Sequence, residues 1–398
     1  MMRSKFLGTK LACYVGYVVQ AVINNFLPIL FIALQDVYGL GYERLARLII
    51  FNFASQIAVD FSAPKIVALF GYRKSAALSQ AMAALGLVSM GILPRIMSNT
   101  YLAIIISIII YAIGSGMMEV IISPIIEMLP TKNKSGNMAF LHSFYCWGQA
   151  FTIIVTTLLV TVFGYKGWAN IPLIWAVIPF LNTFSFFKVP VIEPKGEEKG
   201  DSFKSLASSK RFIIYMVMMF CGGACEIAMA EWASLFAQQA LGISKVIGDL
   251  AGPCAFALFM GTGRVLYGWI SKKVDFRKTV IVMSFLCFIC YLTVAFCKIP
   301  AFSLIACAVC GFSVSLFWPG VLSEGAKDFK RGGSVMYGVF ALCGDTGCSA
   351  GPWIIGIIAD RLGLNFGFSV AAIFPVIMII ATVLLIKNND CKISQKAL

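Results

Sequence analysis

Carboxyl groups stand inside long apolar stretches of this sequence, where binding and releasing a proton is the chemistry that suits them. Glu119 lies in the stretch 100–128, eleven residues before Pro130, or about 16 Å from that end at about 1.5 Å per helical residue. An ionisable group is costly there and marks a candidate functional site. It can switch between neutral and charged forms, as proton coupling requires; a structural hydrogen-bonded acid is the alternative. The predicted proton-coupling residues are Glu119, Asp60, Asp345 and Glu226.

Amide, phenol and imidazole side chains recur in the apolar stretches at the spacing of one helix face. The first stretch carries Tyr17, Gln20 and Asn24 at i, i+3 and i+7, positions that project along one side of a helix. Such groups donate and accept hydrogen bonds, as the binding of a polar solute requires. Hydrogen bonding between packed helices is the alternative interpretation. The candidate binding residues on this ground are Tyr17, Gln20, Asn24, Asn52, Gln56, His142, Tyr145, Gln149 and Arg264.

Two other patterns predict no metal or redox site. His142 is the only histidine in the chain, and one histidine without neighbouring ligands does not form a zinc site. The Cys-x-x-Cys pairs at 287–290 and 307–310 lie in apolar stretches, where a thiol packs as a small hydrophobic group. No spacing of a nucleophile and a base suggests an enzyme. We therefore expect no cofactor, no metal and no enzymatic activity.

The elements that position these groups are membrane-spanning helices. The chain has 398 residues, of which 60% are hydrophobic and 13% charged, against roughly 25% charged in soluble domains. Its apolar runs are about as long as a bilayer-crossing helix. The fold class predicted is an all-α membrane protein with twelve transmembrane helices in two six-helix lobes. The runs lie near 11–34, 44–70, 75–96, 100–128, 138–164, 168–188, 211–237, 247–271, 279–297, 300–324, 334–359 and 365–387.

Basic residues predict the orientation of these helices. The N-terminus, the tail and the loops that follow even-numbered helices hold 24 lysines and arginines, the opposite side holds seven, and Arg264 lies within a helix. Since cytoplasmic loops carry the excess of basic residues, both termini are expected in the cytoplasm, in a plasma or inner membrane. The net charge of +14 belongs to these short loops, so nucleic acid is not an expected partner.

The two halves of the chain resemble each other. Arg73-Lys74 matches Arg277-Lys278, and Glu127 matches Glu324 at an equivalent helix end. A parallel repeat of six helices is typical of a two-lobed transporter. The predicted organisation is a lobe at 1–188, a cytoplasmic loop at 189–210, a lobe at 211–388 and a tail at 389–398.

The repeat also suggests how some charged residues meet. Arg264 is the counterpart of Asp60, which favours either a pair across the lobes or an acid and a base that each face a cavity. A structural ion pair is the alternative. At the cytoplasmic helix ends, the repeated acids can meet the repeated basic loops and act as a latch. The predicted gating residues are Arg73, Glu127, Arg277 and Glu324.

These features resemble the major facilitator superfamily. Its loop signature, Gly-x-x-x-Asp-Arg-x-Gly-Arg-Lys, is similar to 64-PKIVALFGYRK-74, with Pro64 for the first Gly and Ala68 for the Asp. The second copy, 268-GWISKKVDFRK-278, keeps Gly268 and the Arg-Lys pair and has Lys272 at the Asp position.

Other motifs resemble the fucose permease branch of that family. The segment 114-GSGMMEVIISP-124 is similar to Gly-x-Gly-x-x-Glu-x-x-x-Asn-Pro, with Ser123 at the Asn position, and 141-LHSFYCWG-148 is similar to Leu-His-x-Phe-x-x-x-Gly. Glu226 and Trp232 have the spacing of the branch's Glu-x5-Trp. The resemblance implies that Glu119 carries a proton, and it adds Ser123 and Trp232 to the substrate-binding candidates.

The sequence therefore predicts a secondary active transporter that moves a small polar solute, with a sugar as the leading candidate, by proton-coupled alternating access. Its expected partners are that solute, the proton and the lipid bilayer, and we expect a monomer. A proton-coupled exporter of drugs or metabolites is the second hypothesis. It is favoured if the substrate cavity is lined mainly by some of the 33 Phe and 17 Met residues. A transporter-like sensor that moves nothing is the third.

Overall fold

The computed structural model describes residues 6–130, 134–192, 201–270, 274–329 and 331–394, and these residues contain helices and turns without a strand. Helices are what this sequence must form, because backbone groups in a bilayer find hydrogen-bond partners only within a helix or a closed barrel. The helices of the first half are Leu7–Ile29, Phe31–Tyr38, Tyr42–Ile96, Thr100–Glu127, Lys134–Phe163, Ile171–Trp175 and Val177–Lys188, with a 3-10 helix at Tyr165–Asn170. Those of the second half are Phe203–Ala207, Lys210–Gln239, Lys245–Asp249, Ala255–Ile270, Phe276–Phe296, Pro300–Val314, Phe317–Asp328, Gly333–Leu362, Leu364–Ala371 and Ile373–Ser394, with a π-helical turn at Leu250–Cys254.

Twelve crossings of the membrane result, numbered here as spans 1 to 12 in chain order. Within the described residues, eleven segments are long and apolar enough to cross a bilayer. The helix Gly333–Leu362, with 30 residues that include Asp345 and Pro352, supplies span 11. The other spans, in order, are Leu7–Ile29, Tyr42–Ser62, Leu69–Ile96, Thr100–Ile126, Phe140–Phe163, Tyr165–Lys188, Lys210–Gln239, Lys245–Tyr267, Phe276–Phe296, Pro300–Asp328 and, as span 12, Leu364–Lys387.

Spans 2 and 3 belong to one helical element with a break at Gly71. The sequence suggests a gap over 71–74, whereas the structure keeps helix on both sides and has a single non-helical residue, Gly71, at φ 75° and ψ 165°. A residue with a Cβ rarely adopts this conformation, and glycine adopts it without steric cost. The glycine of the Gly71-Tyr72-Arg73-Lys74 motif therefore makes the kink itself.

The described helices form two compact units. The first contains spans 1 to 6 together with the segment Lys245–Leu250, and the second contains spans 7 to 12 without that segment. The start of span 8 thus packs with the first unit, although the chain on both sides of it belongs to the second.

Charged contacts hold the segment Lys245–Leu250 in the first unit. Lys245 Nζ donates a 2.7 Å hydrogen bond to the carbonyl oxygen of Ile29, one of the helix-end carbonyls that has no partner within span 1. Lys245 also pairs with Asp249 at 2.9 Å. Thr157 Oγ1 donates to the fully buried Asp249 Oδ2 at 2.7 Å. The π-helical turn with Pro253 follows directly.

Glycines bring the helices of each unit into close contact. A Cβ at Gly116 of span 4 would lie 3.0 Å from the backbone of Gln56, and one at Gly148 of span 5 would lie 3.0 Å from Ala21 Cβ. Small residues allow transmembrane helices to approach closely in this way. The first contact fixes span 4 against span 2 and the second fixes span 5 against span 1, and so they position the polar side chains described below.

Candidate functional site

A cluster of polar side chains lies inside the first unit, between spans 1, 2 and 4. Its members come from helix faces whose other residues are apolar, so that hydrogen bonding to each other is the way in which they avoid an unpaired polar group in an apolar interior. This polar cluster comprises Tyr17, Gln20, Asn24, Asn52, Gln56, Ser115, Glu119 and Ser123.

Spans 1 and 4 contribute two parallel contacts to the cluster. The hydroxyl groups of Tyr17 and Ser123 are 2.8 Å apart. One turn along, Gln20 Nε2 donates to Glu119 Oε2 at 2.9 Å. Glu119 therefore has a neutral amide as its hydrogen-bond partner, and an amide N–H can hold either the charged or the neutral form of the carboxyl.

Asn24 is the centre of the cluster. Its Oδ1 accepts hydrogen bonds from Asn52 Nδ2 and Gln56 Nε2, both at 3.1 Å. Gln56 Oε1 in turn accepts from the hydroxyl of Ser115 at 3.0 Å. A network of this kind, buried in low dielectric, holds its members in fixed orientations.

Hydrogen-bond acceptors remain unused around this network. Gln20 Oε1, Asn52 Oδ1 and Gln149 Oε1 are buried and have no hydrogen-bond partner among the described residues. The amide of Asn52 cannot simply be turned over, because its oxygen would then face Asn24 Oδ1. A buried acceptor without a donor costs about 1–3 kcal/mol. These three oxygens are therefore acceptors whose hydrogen-bonding capacity is unused among the described residues.

Span 5 adds two predicted residues beside the cluster. The ring of His142 meets the ring of Tyr17 edge to face, with centroids 5.1 Å apart. The hydroxyl of Tyr145 lies 3.5 Å from Asn25 Nδ2, whose shorter bond of 2.8 Å goes to the carbonyl of Ala21. Asp60, one turn beyond Gln56 on span 2, is half-buried.

The second unit holds a separate ion pair. Arg264 Nη2 of span 8 lies 3.4 Å from Glu226 Oε2 of span 7, and both side chains are largely buried. Trp232, predicted as a binding residue, is fully buried and donates its indole N–H to the carbonyl of Pro352 at 3.0 Å. That donor is thus already used within the unit. Asp345 of span 11 is also buried.

The predicted latch stays a prediction. Glu324 pairs with Lys327 of its own helix at 2.9 Å, and among the described residues no ion pair joins it to Arg277. Arg277 is half-buried and Arg73 is exposed. The side chain of Glu127 lies outside the described residues.

Two residues of the site in the first unit are not predicted from the sequence. Ser115 and Asn25 make contacts that depend on the register between helices, for which a single sequence offers no signal. Glu231 of span 7 is also buried, with only 2% of it exposed.

The fold and the site together define a polytopic membrane protein of two six-helix units with buried carboxyl and amide groups. The sequence profile of the Major Facilitator Superfamily matches residues 13–352. The chain belongs to this family of membrane transporters.

The similar proteins found by sequence and by structure have low sequence identity to this chain. The chain is 23% identical over 331 residues to the membrane protein MosC of Rhizobium meliloti, covering 83% of this chain and 79% of that protein. Among solved structures, it is similar to the E. coli fucose:proton symporter FucP, with a TM-score of 0.69, 16% identity and coverage of 96% and 99% of the two chains. It is also similar to a D-xylose-proton symporter, with a TM-score of 0.77, 14% identity and coverage of 96% and 97%. At these identities the structures show a common fold.

Proposed function

We propose that this protein is a secondary active transporter that couples the movement of a small hydroxyl-bearing solute, a sugar, to the movement of protons. The observation that carries the proposal is the polar cluster of the first unit. It combines a half-buried carboxyl, Glu119, with amide oxygens of Gln20 and Asn52 that lack donors.

The chemistry of the cluster favours a neutral polyol. Sugar hydroxyls donate hydrogen bonds to amide oxygens and accept them from amide N–H groups. The residues of the cluster carry no cationic side chain that would select an anion. Its only charge-bearing group is Glu119, which holds a single neutral partner, the amide of Gln20.

Glu119 links the solute to the proton in this proposal. Gln20 contacts the carboxyl through Nε2 and keeps Oε1 for another donor. A solute bound at Gln20 Oε1 and a proton bound at Glu119 therefore act on the same amide. Such a shared contact gives the two ligands a coupling free energy, and coupling of this kind acts in both directions. The similarity in fold to two sugar:proton symporters supports the same proposal.

Uptake into proteoliposomes tests the proposal. Purified protein is reconstituted, an inward proton gradient is imposed, and radiolabelled fucose, xylose and further monosaccharides are offered one at a time. We expect at least one sugar to accumulate above its equilibrium level and an uncoupler to abolish that accumulation. Gradient-driven movement of hydrophobic cations with no movement of any sugar would instead identify an exporter of drug-like compounds.

A further inference from the structure

Glu231 is a buried carboxyl group that the proposed site does not use. It lies in span 7 and is 2% exposed. Eight residues separate it from the end of the span at Gln239, or about 12 Å at about 1.5 Å per residue. Glu231 therefore lies about two helical turns inside the span.

The neighbours of Glu231 on its own helix are mostly apolar. One turn away on the same helix lie Ile227, Ala228 and Leu235, all buried. Ser234, the polar neighbour on that face, already accepts from Gln238 Nε2 at 3.2 Å. Among the described residues, none forms a hydrogen bond or an ion pair with the Glu231 carboxyl.

Glu226, five residues earlier on the same helix, provides a contrast. It has the guanidinium of Arg264 at 3.4 Å. Five residues correspond to about 140° around a helix, so the two carboxyl groups face different neighbours. Glu226 has a cationic partner, whereas Glu231 forms no ion pair within the described part of the chain.

The charged groups on spans 8, 10 and 11 either lie above or below the level of Glu231 along the helix axis or already have partners. Gly351 of span 11 packs against Ala224 and Ala228 of span 7, and the two helices run in the same direction. Asp345 is therefore at the level of residues before Glu226, and Asp360 lies beyond the level of Glu231. In span 8, the nearest charged residues before the π-helical turn are Lys245 and Asp249, which pair with each other. On span 10, Glu324 pairs with Lys327 and Asp328 accepts from Arg211 and Tyr215.

We propose that Glu231 is a second proton-binding site, which holds a proton in this conformation and exchanges it during the transport cycle. An ionised carboxylate without a partner in apolar surroundings has a large desolvation cost, and the neutral acid avoids it. A group that is neutral only because it holds a proton can release that proton and become charged when its surroundings open to water. The role in the cycle rests on the proposed function; the bound proton does not.

Infrared spectroscopy of the purified protein tests the bound proton without any solute. The wild-type protein is expected to show the carbonyl stretch of a protonated carboxyl group that accepts few hydrogen bonds. Glu231→Gln should remove this band. Glu231→Asp should keep such a band at a shifted position. Glu43→Gln, a matched change at an exposed carboxyl paired with Arg47, should leave the band unaltered. An unchanged spectrum in folded Glu231→Gln would show that the carboxyl is ionised and would overturn the proposal.

The number of protons moved per sugar tests the exchange. In proteoliposomes, with a sugar that the uptake panel identifies, we expect Glu231→Gln to move one proton fewer per cycle than the wild type, and Glu231→Asp to restore the number. An unchanged number would remove Glu231 from the cycle. If no sugar moves with protons in the wild type, the proposed function fails, while the infrared result still decides whether Glu231 binds a proton. Glu231→Gln should keep the monodisperse elution of the wild type, because glutamine is isosteric with the neutral acid.

Discussion

At the scale of single residues, Glu119 is the carboxyl on which proton coupling is expected to depend. Glu119→Gln keeps an oxygen for the Gln20 N–H, so the contact at 2.9 Å and the fold should survive, while the exchangeable proton is lost. We expect uphill accumulation in proteoliposomes to disappear. Exchange of labelled for unlabelled sugar should persist, because exchange needs no net movement of protons. Undiminished gradient-driven uptake by the variant would remove Glu119 from the mechanism.

Asn24 makes a second residue-scale prediction, about stability. Asn24→Ala removes the oxygen that accepts from Asn52 and Gln56 and leaves two buried donors, each at a cost of about 1–3 kcal/mol. We expect a lower unfolding temperature in detergent and weaker sugar binding. The neighbouring Asn25→Ala is the control, since its main bond goes to a carbonyl of its own helix and its loss should be smaller. Equal effects of the two substitutions would contradict the central role of Asn24.

The residue types of the site could be predicted, and their pairing could not. The helical spacing of Tyr17, Gln20 and Asn24 identifies one face of span 1, and the structure confirms that this face meets polar groups of spans 2 and 4. Which residue meets which depends on the register between helices. That register is set by contacts such as Gly116 against the backbone of Gln56, and the spacing within one helix does not contain it. For this reason the contact between Ser115 and Gln56 could not be predicted from the sequence.

At the scale of the element, glycine contacts should control helix packing in the second unit. A Cβ at Gly347 of span 11 would lie 1.9 Å from the carbonyl oxygen of Phe220 in span 7, whereas one at Gly338 on the same helix would have nothing within 4 Å. Gly347→Ala must push the spans apart, at a cost of about 1–3 kcal/mol or more. Gly338→Ala should be neutral or stabilising by up to about 1 kcal/mol.

Thermal unfolding of the two alanine variants in the same detergent measures this difference. The expected result is a clear decrease for Gly347→Ala and none for Gly338→Ala. Similar unfolding temperatures for both would show that the two helices separate without cost, which would contradict the close packing.

The sequence predicts where the membrane-spanning helices form more directly than it predicts where a helix is interrupted. Apolar runs of bilayer length predict the spans because an apolar backbone segment has no other way to satisfy its hydrogen bonds in lipid. Span 10 is divided between Val314 and Phe317, where Pro319 lacks the N–H that would bond the carbonyl of Ser315. The interruption at Leu30 in the first run is easier to anticipate, because Pro28 precedes it.

At the scale of the whole molecule, the distribution of basic residues predicts the orientation in the membrane. With 24 lysines and arginines on one side and seven on the other, both termini and the segment 189–210 should be cytoplasmic. Single cysteines placed at these sites in a cysteine-less variant should react with an impermeant maleimide only after the cells are opened. Reaction at position 199 in intact cells would reverse the predicted orientation.

The segment Lys245–Leu250 has a consequence for how this protein is made. The ribosome delivers spans 1 to 6 to the membrane long before it reaches Lys245. Until then, the Ile29 carbonyl and the Thr157 hydroxyl lack the partners that they have in the finished molecule. The first unit is therefore completed by residues that are synthesised after span 7 has been inserted. A gene cut in the central loop would yield an amino-terminal fragment that lacks these contacts, and co-synthesis of the carboxy-terminal fragment would restore them.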